Sequence, residues 1–272
     1  MGGLGNQLFQ IFALISYALK NKQPFFFENK VSERDDRPIY WENFLLSLKP
    51  FVRNVSSGTL SVYREPTFEY TEIWPFNRIN RSFKMSGYFQ SYKYFVENQS
   101  DILRLIKFDK QQEETGLKHK NLSLENTISL HFRIGDYKAI QEYHPLVGVD
   151  YYKKCLHKMI ENTGKNDWNV LYFYEIVDKD MVEENIEEIK KDFSSLNFVP
   201  IDTKLEDYTQ MTLMSLCQHN IIANSSFSWW GAHLNNNKDK IVCYPNPDNW
   251  FGPIAGKKNM TTMFPDSWCK VI

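Results

Sequence analysis

An α/β fold with a doubly wound parallel sheet in the C-terminal half is what this sequence of 272 residues predicts. Three observations carry the prediction. Apolar runs of strand length alternate with helix-period segments from residue 127 onward. A glycine-rich opening leads straight into an amphipathic helix. The composition, 42% hydrophobic and 24% charged, is that of an ordinary folded protein and excludes disordered, collagen-like and coiled-coil classes.

The elements follow in order. Leu8, Phe9, Phe12, Ala13, Ile15 and Leu19 recur at helical spacing, so a helix is predicted over residues 6–20. Pro24, Phe25, Phe26 and Phe27 form an apolar run of strand length, and a polar loop follows at residues 32–37. Residues up to about 110 read as one mixed α/β unit. Beyond them the sequence predicts strands at 127–132, 168–177, 197–201 and 220–223, with a last strand at 240–244. The intervening helices are predicted at 150–162, 179–192, 208–217 and 227–234. The polar stretch 109–120 sets the expected boundary, giving domains 1–115 and 116–272. A glycine-rich loop of this kind ordinarily follows a strand. Only Met1 precedes this one, so either a first strand is missing or the sheet is built without it.

Lys and Arg total 32 against 33 Asp and Glu, a net charge of -1, so no global field attracts a polyanion and nucleic acid is not an expected partner. Cys155, Cys217, Cys243 and Cys269 form no C-x-x-C pair and have no histidine at ligand spacing. Reduced, buried thiols are expected, with no metal site. The most apolar early stretch, residues 8–19, is far shorter than the roughly 20 residues a membrane span needs, and no basic segment precedes it. Membrane association is not indicated, and a cytoplasmic location is expected.

Three clusters carry the candidate chemistry. Gly2, Gly3 and Gly5 stand just before the first helix, where free N–H groups and the positive dipole end favour an anion; a plain tight turn is the alternative. The second cluster, His131-Phe132-Arg133-Ile134-Gly135-Asp136-Tyr137, lies where a predicted strand ends, the place where doubly wound sheets bind ligands. Arg133 is always charged and makes bidentate contacts suited to a diphosphate, while Gly135 allows close backbone approach. The alternatives are a surface salt bridge for Arg133 and a core position for His131. The third, Ala223-Asn224-Ser225-Ser226-Phe227-Ser228-Trp229-Trp230-Gly231-Ala232, is a strand end running into a helix. Its hydroxyls cap that helix or bind phosphate, and core packing is the expectation for both tryptophans.

Read in order, G-G-L-G-N-Q-L-F-Q, H-F-R-I-G-D-Y and A-N-S-S-F-S-W-W-G-A resemble the motifs of the α-1,2-fucosyltransferases. Gly87-Tyr88-Phe89-Gln90-Ser91 and Asp150-Tyr151-Tyr152-Lys153-Lys154 are similar to that family as well, and together the matches span almost the whole chain. The resemblance implies a GT-B-like architecture, two Rossmann-like domains facing a cleft, with the acceptor on the N-terminal side and the nucleotide sugar on the C-terminal side. It implies an inverting, metal-independent transferase moving L-fucose from GDP-fucose to a glycan hydroxyl, usually the 2-OH of galactose, with no cofactor beyond that donor. Arg133 would hold the β-phosphate and stabilise the leaving diphosphate. Gly5 and Asn6 would line the donor from one domain; Asn224, Ser225, Ser226 and Phe227 would contact the nucleotide from the other. His131 and Asp136 would orient Arg133 or the sugar, Asp136 being the nearest carboxylate for a general base, a role that stays open.

The sequence departs from the family pattern in two places besides its opening. Ile134 replaces the family's usual second arginine, as an apolar residue does in the related protein O-fucosyltransferases. The usual Ser-Asp-Asp at a strand end is here Tyr174-Glu175-Ile176-Val177-Asp178. Another sugar nucleotide or linkage, or a carbohydrate-binding protein without transfer activity, are the alternatives. Acceptor choice would rest on the loops 32–37, 63–71 and 141–145.

Overall fold

A computed structural model describes residues 2–29, 38–54, 60–75 and 82–272. The chain divides into two compact units, Met1–Gln111 with Lys258–Pro265, and Gln112–Lys257 with Asp266–Ile272. The division falls a few residues before the boundary predicted at 115. The stretch 258–265, assigned by sequence order to the C-terminal domain, belongs instead to the first unit. There the backbone carbonyl of Thr262 accepts from the Ser91 hydroxyl at 2.5 Å, and its own hydroxyl accepts from the Tyr70 N–H at 2.8 Å. Most of the polar stretch 109–120 that set the expected boundary is helical.

In the first unit helix α1 (Leu4–Lys20) starts two residues earlier than predicted and buries Leu8, Phe9, Phe12 and Ile15 completely. This face packs on Phe95, whose ring lies 5.4 Å from that of Phe12. Two short parallel pairs accompany it: β1 (Phe27–Glu28) with β2 (Val52–Arg53), and β3 (Ser61–Arg64) with β4 (Phe83–Ser86). The Phe-rich run at 24–27 yields only the two residues of β1. The predicted loop 32–37 lies outside the described residues. Helices α2 (Gln99–Leu105) and α3 (Phe108–Lys118) follow, and the unit division falls within α3.

The second unit holds a six-stranded sheet in the order β10-β9-β8-β5-β6-β7, every pair parallel. Its strands are β5 (Thr127–His131), β6 (Asn169–Phe173), β7 (Asn197–Pro200), β8 (His219–Ile221), β9 (Val242–Pro245) and β10 (Cys269–Val271). Helices α4 (Val149–Thr163), α5 (Lys179–Lys190), α6 (Asp207–Leu216) and α7 (Ser226–His233) alternate with them. This is the doubly wound parallel sheet that the alternation predicts, and the α/β class stands.

Burial explains why these segments take these forms. All five residues of β5 are buried, as a central strand covered on both faces requires. Helix α4 buries Tyr152, Cys155, Leu156 and Met159, an i, i+3, i+4, i+7 stripe, and ends at Gly164, whose φ of +65° permits the left-handed cap. Trp229 and Trp230 are fully buried, so the core reading of both holds. All four cysteines are free, three of them buried and Cys269 partly so.

Two strand predictions need correction. The run 168–177 stops as a strand at Phe173; Ile176 and Val177 are 58% and 74% exposed, on a turn that leads into α5. The last strand is β10, three residues too short to show a periodicity, rather than the one near 240–244.

The sheet also locates a switch point. From β5 the chain builds outward through β6 and β7 on one side, then returns to lay β8, β9 and β10 on the other. The crevice beyond the carboxyl ends of β5 and β8 is where such a sheet receives ligands.

Candidate active site

Both loops at the switch point carry predicted residues. Beyond β5 come Arg133, Ile134 and a 3-10 turn, Gly135–Ala139; beyond β8 come Asn224 and the cap of α7. The β5–β6 register pairs His131 with Phe173, and the Phe132 N–H donates to the Phe173 carbonyl at 2.9 Å. Extending that register by two residues sets Arg133 opposite Glu175. Their side chains form an ion pair, and the other terminal nitrogen of the guanidinium pairs with Asp136. The face of the fork lies over the Tyr137 ring, 4.6 Å from its centroid. Burial works against the Arg133 charge, but Tyr137, Glu175 and Asp136 outweigh it and hold the pKa above its ordinary value. Arg133 is therefore a fixed cation, its side chain only 16% exposed.

The turn around it is clasped to the end of β6. The Gly135 N–H donates to Asp178 Oδ2 at 2.6 Å, and Lys138 Nζ lies 2.8 Å from Asp178 Oδ1. Gly135 has a φ of +33°, and a Cβ there would sit 3.0 Å from Glu175 Oε2 and 3.2 Å from an Arg133 nitrogen. Gly135 thus comes close to the Arg133–Glu175 pair, where a side chain would crowd it.

His131 is buried at the end of β5, with its ring centroid 5.6 Å from that of Phe227 and its carbonyl accepting from the Tyr152 hydroxyl at 3.0 Å. Burial, with the nearby Arg133 charge, pushes its pKa down to about 3, so the imidazole is neutral at pH 7. Ile134 is buried in the core of this unit, and so the position of the family's second arginine contributes no charge. Asn224 ties two loops together, donating to the carbonyls of Pro145 at 2.8 Å and Trp250 at 3.3 Å, while its Oδ1 is buried with no hydrogen-bond partner. The Ser225 hydroxyl accepts from the Phe227 N–H at 3.3 Å, the helix-capping role expected for one of these serines.

The structure thus gathers His131, Arg133, Asp136, Asn224, Ser225, Ser226 and Phe227 on the carboxyl side of one sheet. Gly5 and Asn6 belong to the first unit, in the opening turn of α1, where the Asn6 side-chain oxygen accepts from Gln90 Nε2 at 2.6 Å. Sequence reasoning did not find Glu175, Tyr137 and Asp178 as partners of the Arg133 turn, nor His144, stacked on Tyr137 at 4.6 Å. Only the adjacency and register of β5 and β6 would have pointed to Glu175. Among the described residues, no group of three or more His, Cys, Asp or Glu is placed to hold a metal ion. No described helix is long and apolar enough to cross a membrane.

Comparison with known proteins gives this geometry a context. The O-antigen biosynthesis glycosyltransferase WbnK of Escherichia coli is 34% identical over 149 residues, 53% of this chain and 44% of that protein. An alpha-1,2-colitosyltransferase of Escherichia coli is 30% identical over 205 residues, 71% of this chain and 66% of the relative. The chain therefore spans 44% and 66% of the lengths of these two relatives. Among solved structures, an Arabidopsis thaliana FUT1 mutant in complex with GDP aligns with a TM-score of 0.49 at 14% identity, covering 97% of this chain and 73% of that one. POFUT1 in complex with GDP-fucose aligns at 0.46 and 13%, covering 90% and 95%. The family model described as Glycosyl transferase family 11 matches residues 42–268, a span that contains the Arg133 turn, the Asn224–Phe227 cap and the strands that carry them. By that match, this chain belongs to glycosyl transferase family 11.

Proposed function

We propose that this chain transfers L-fucose from GDP-fucose to a glycan hydroxyl, the 2-OH of galactose, with inversion. One observation carries the reading: a family 11 chain presents a half-buried, permanently charged guanidinium at the switch point of a parallel sheet. That is where a nucleotide's diphosphate is received, and a fixed cation there stabilises the negative charge that grows on the diphosphate as the glycosidic bond breaks. No reorganisation is needed at that moment, because Tyr137 and Asp136 already hold the fork.

In this reading Arg133 takes the β-phosphate and Asp136 keeps the guanidinium oriented. His131, neutral, adds no second positive charge beside Arg133. Asn224, Ser225, Ser226 and Phe227 shape the nucleotide side, and Gly5 and Asn6 of the first unit are donor-lining residues by the family resemblance. Asp136, engaged with Arg133, is a poor general base while that pair persists. Proton loss from the acceptor late in bond cleavage fits this arrangement better.

The test is calorimetric titration with GDP, GDP-fucose, GDP-mannose and UDP-galactose in EDTA, with transfer to a galactoside acceptor assayed alongside. Arg133→Ala is expected to lower kcat/KM by at least ~10²-fold, as loss of a key charge stabiliser does. No nucleotide binding by the unmodified chain would overturn the reading in favour of a carbohydrate-binding protein without transfer activity. A second reading keeps the fold and changes the sugar on the donor. It is favoured by the relative named for colitosyl transfer and by Glu175 standing within the altered strand-end stretch. Faster transfer from another sugar nucleotide than from GDP-fucose would select it.

A further inference from the structure

We propose that Glu175 sets how tightly the donor site takes a diphosphate, by occupying Arg133 until a diphosphate displaces it. The inference rests on the reading of Arg133 as the diphosphate-binding residue. Its starting point is that the terminal nitrogens of the guanidinium are both engaged, one by Glu175 and one by Asp136, while Tyr137 covers a face. Bidentate recognition of a phosphate uses the same N–H groups that serve these carboxylates. A diphosphate brought beside both would also meet two like charges at contact distance. One carboxylate therefore has to leave.

The geometry decides which. Asp136 is three residues from Arg133, on the turn that follows it, and its contact is local; both carboxylate side chains are 53% exposed, so position in the chain, not exposure, separates them. Glu175 reaches across from the loop after β6, with a side chain 53% exposed and exposed Ile176 and Val177 following it. It can rotate into solvent without moving the sheet. Asp178, three residues further on, keeps the backbone of that loop pinned through Gly135 and Lys138. The clasp between the loops thus survives the loss of the Glu175 contact, and Arg133 is delivered to the ligand in place.

The consequence is a common penalty: every anion that takes Arg133 must first displace the glutamate, which lowers the affinity of each by the same factor. Removing the charge of Glu175 while keeping its shape removes the competitor, and the isosteric amide retains the packing of Gly135 against this side chain. From the usual strength of a partly exposed ion pair, Glu175→Gln should tighten GDP roughly two- to fivefold.

The experiment titrates GDP and inorganic pyrophosphate into the unmodified chain, Glu175→Gln, Asp136→Asn and Arg133→Ala, with thermal unfolding of each. The expected result is that Glu175→Gln tightens both ligands by the same factor with its fold intact, whereas Asp136→Asn weakens both. Unchanged or weaker GDP binding by Glu175→Gln would overturn the exchange, and so would tightening of GDP without pyrophosphate, which would place the effect at the nucleoside. Tightening by Asp136→Asn alone would assign the leaving carboxylate to the wrong residue. Should Arg133→Ala bind GDP like the unmodified chain, the reading of Arg133 fails, a result distinct from all of these.

Discussion

Gly135→Ala tests whether the turn after β5 is built around a missing Cβ. At a φ of +33° the residue lies where L side chains are disfavoured by about 1–2 kcal/mol. The added methyl would also stand 3.0 Å from Glu175 Oε2 and 3.2 Å from an Arg133 nitrogen, so both must give by a few tenths of an ångström. These are ends of side chains rather than backbone, and Glu175 is half exposed, so the crowding adds little to the backbone cost. The expected destabilisation is about 1–2 kcal/mol, a fall in Tm of roughly 2–6 °C for a chain of this size. Because the Arg133 fork is displaced with it, GDP affinity should fall ~3- to 10-fold, in line with the steep cost of misplacing a binding group. Differential scanning calorimetry and GDP titration measure the two effects. Gly116→Ala provides the contrast: it lies within α3, where an added Cβ meets nothing nearer than Leu216 Cδ1 at 3.7 Å, and should stabilise by about 0.5–1 kcal/mol. If Gly135→Ala matched Gly116→Ala in Tm and left GDP binding unchanged, the argument from positive φ and close approach would be wrong.

Three further outcomes are expected. Stability should fall as pH drops from about 6.5 to 5, because His131, His219 and His233 have folded pKa values pushed down by burial to about 3, about 4 and about 3. The unfolded chain then binds protons that the folded chain refuses, at about 1.4 kcal/mol per pH unit for each histidine fully protonated when unfolded, while above pH 7 these groups contribute no slope; urea midpoints independent of pH across that window would contradict it. Gly231→Ala would place a Cβ 2.7 Å from Met214 Cβ and 2.8 Å from its sulfur where α6 and α7 pack, and should lower the denaturant midpoint by an amount equivalent to about 1–3 kcal/mol. Glu65→Ala should destabilise by about 2–3 kcal/mol, since Glu65 Oε2 accepts from the N–H groups of Tyr88 at 2.8 Å and Phe89 at 2.9 Å and fixes Phe89 at a φ of +53°; calorimetry reads the loss directly.

The C-terminal half was legible because its strands and helices satisfy local rules. Strand β5 is buried along its whole length, α4 carries its stripe at helical spacing, and Gly164 stops that helix where a left-handed residue is needed. Two of the misreadings share a cause: the deciding contact lies far away in sequence. Residues 174–177 read as strand by composition, yet Asp178 is drawn to Gly135 and the chain has to turn. Residues 258–265 read as C-terminal by order, yet Thr262 bonds to residues 70 and 91. The polar stretch 109–120 that set the expected boundary is instead largely α3, for a local reason: its many Glu, Gln and Lys residues form helix well without a strong apolar stripe.

The candidate site shows the same division more sharply. Arg133 was found because a strand end and an arginine are both visible in one dimension, whereas Glu175, its partner, is 42 positions away and visible only through sheet order. Placing β6 beside β5, with His131 level with Phe173, makes the pairing of residues 133 and 175 a matter of register alone. The middle motif is therefore only part of a site. It supplies the cation, while the β6 end supplies the carboxylate that holds the cation and the aspartate that fixes the turn beneath it. Under the proposed role of Arg133, a substitution in 174–178 alters diphosphate affinity without touching a motif residue. One of this chain's departures from the family pattern falls on that segment, which under the proposed function makes Glu175 the place to look first for what distinguishes its donor.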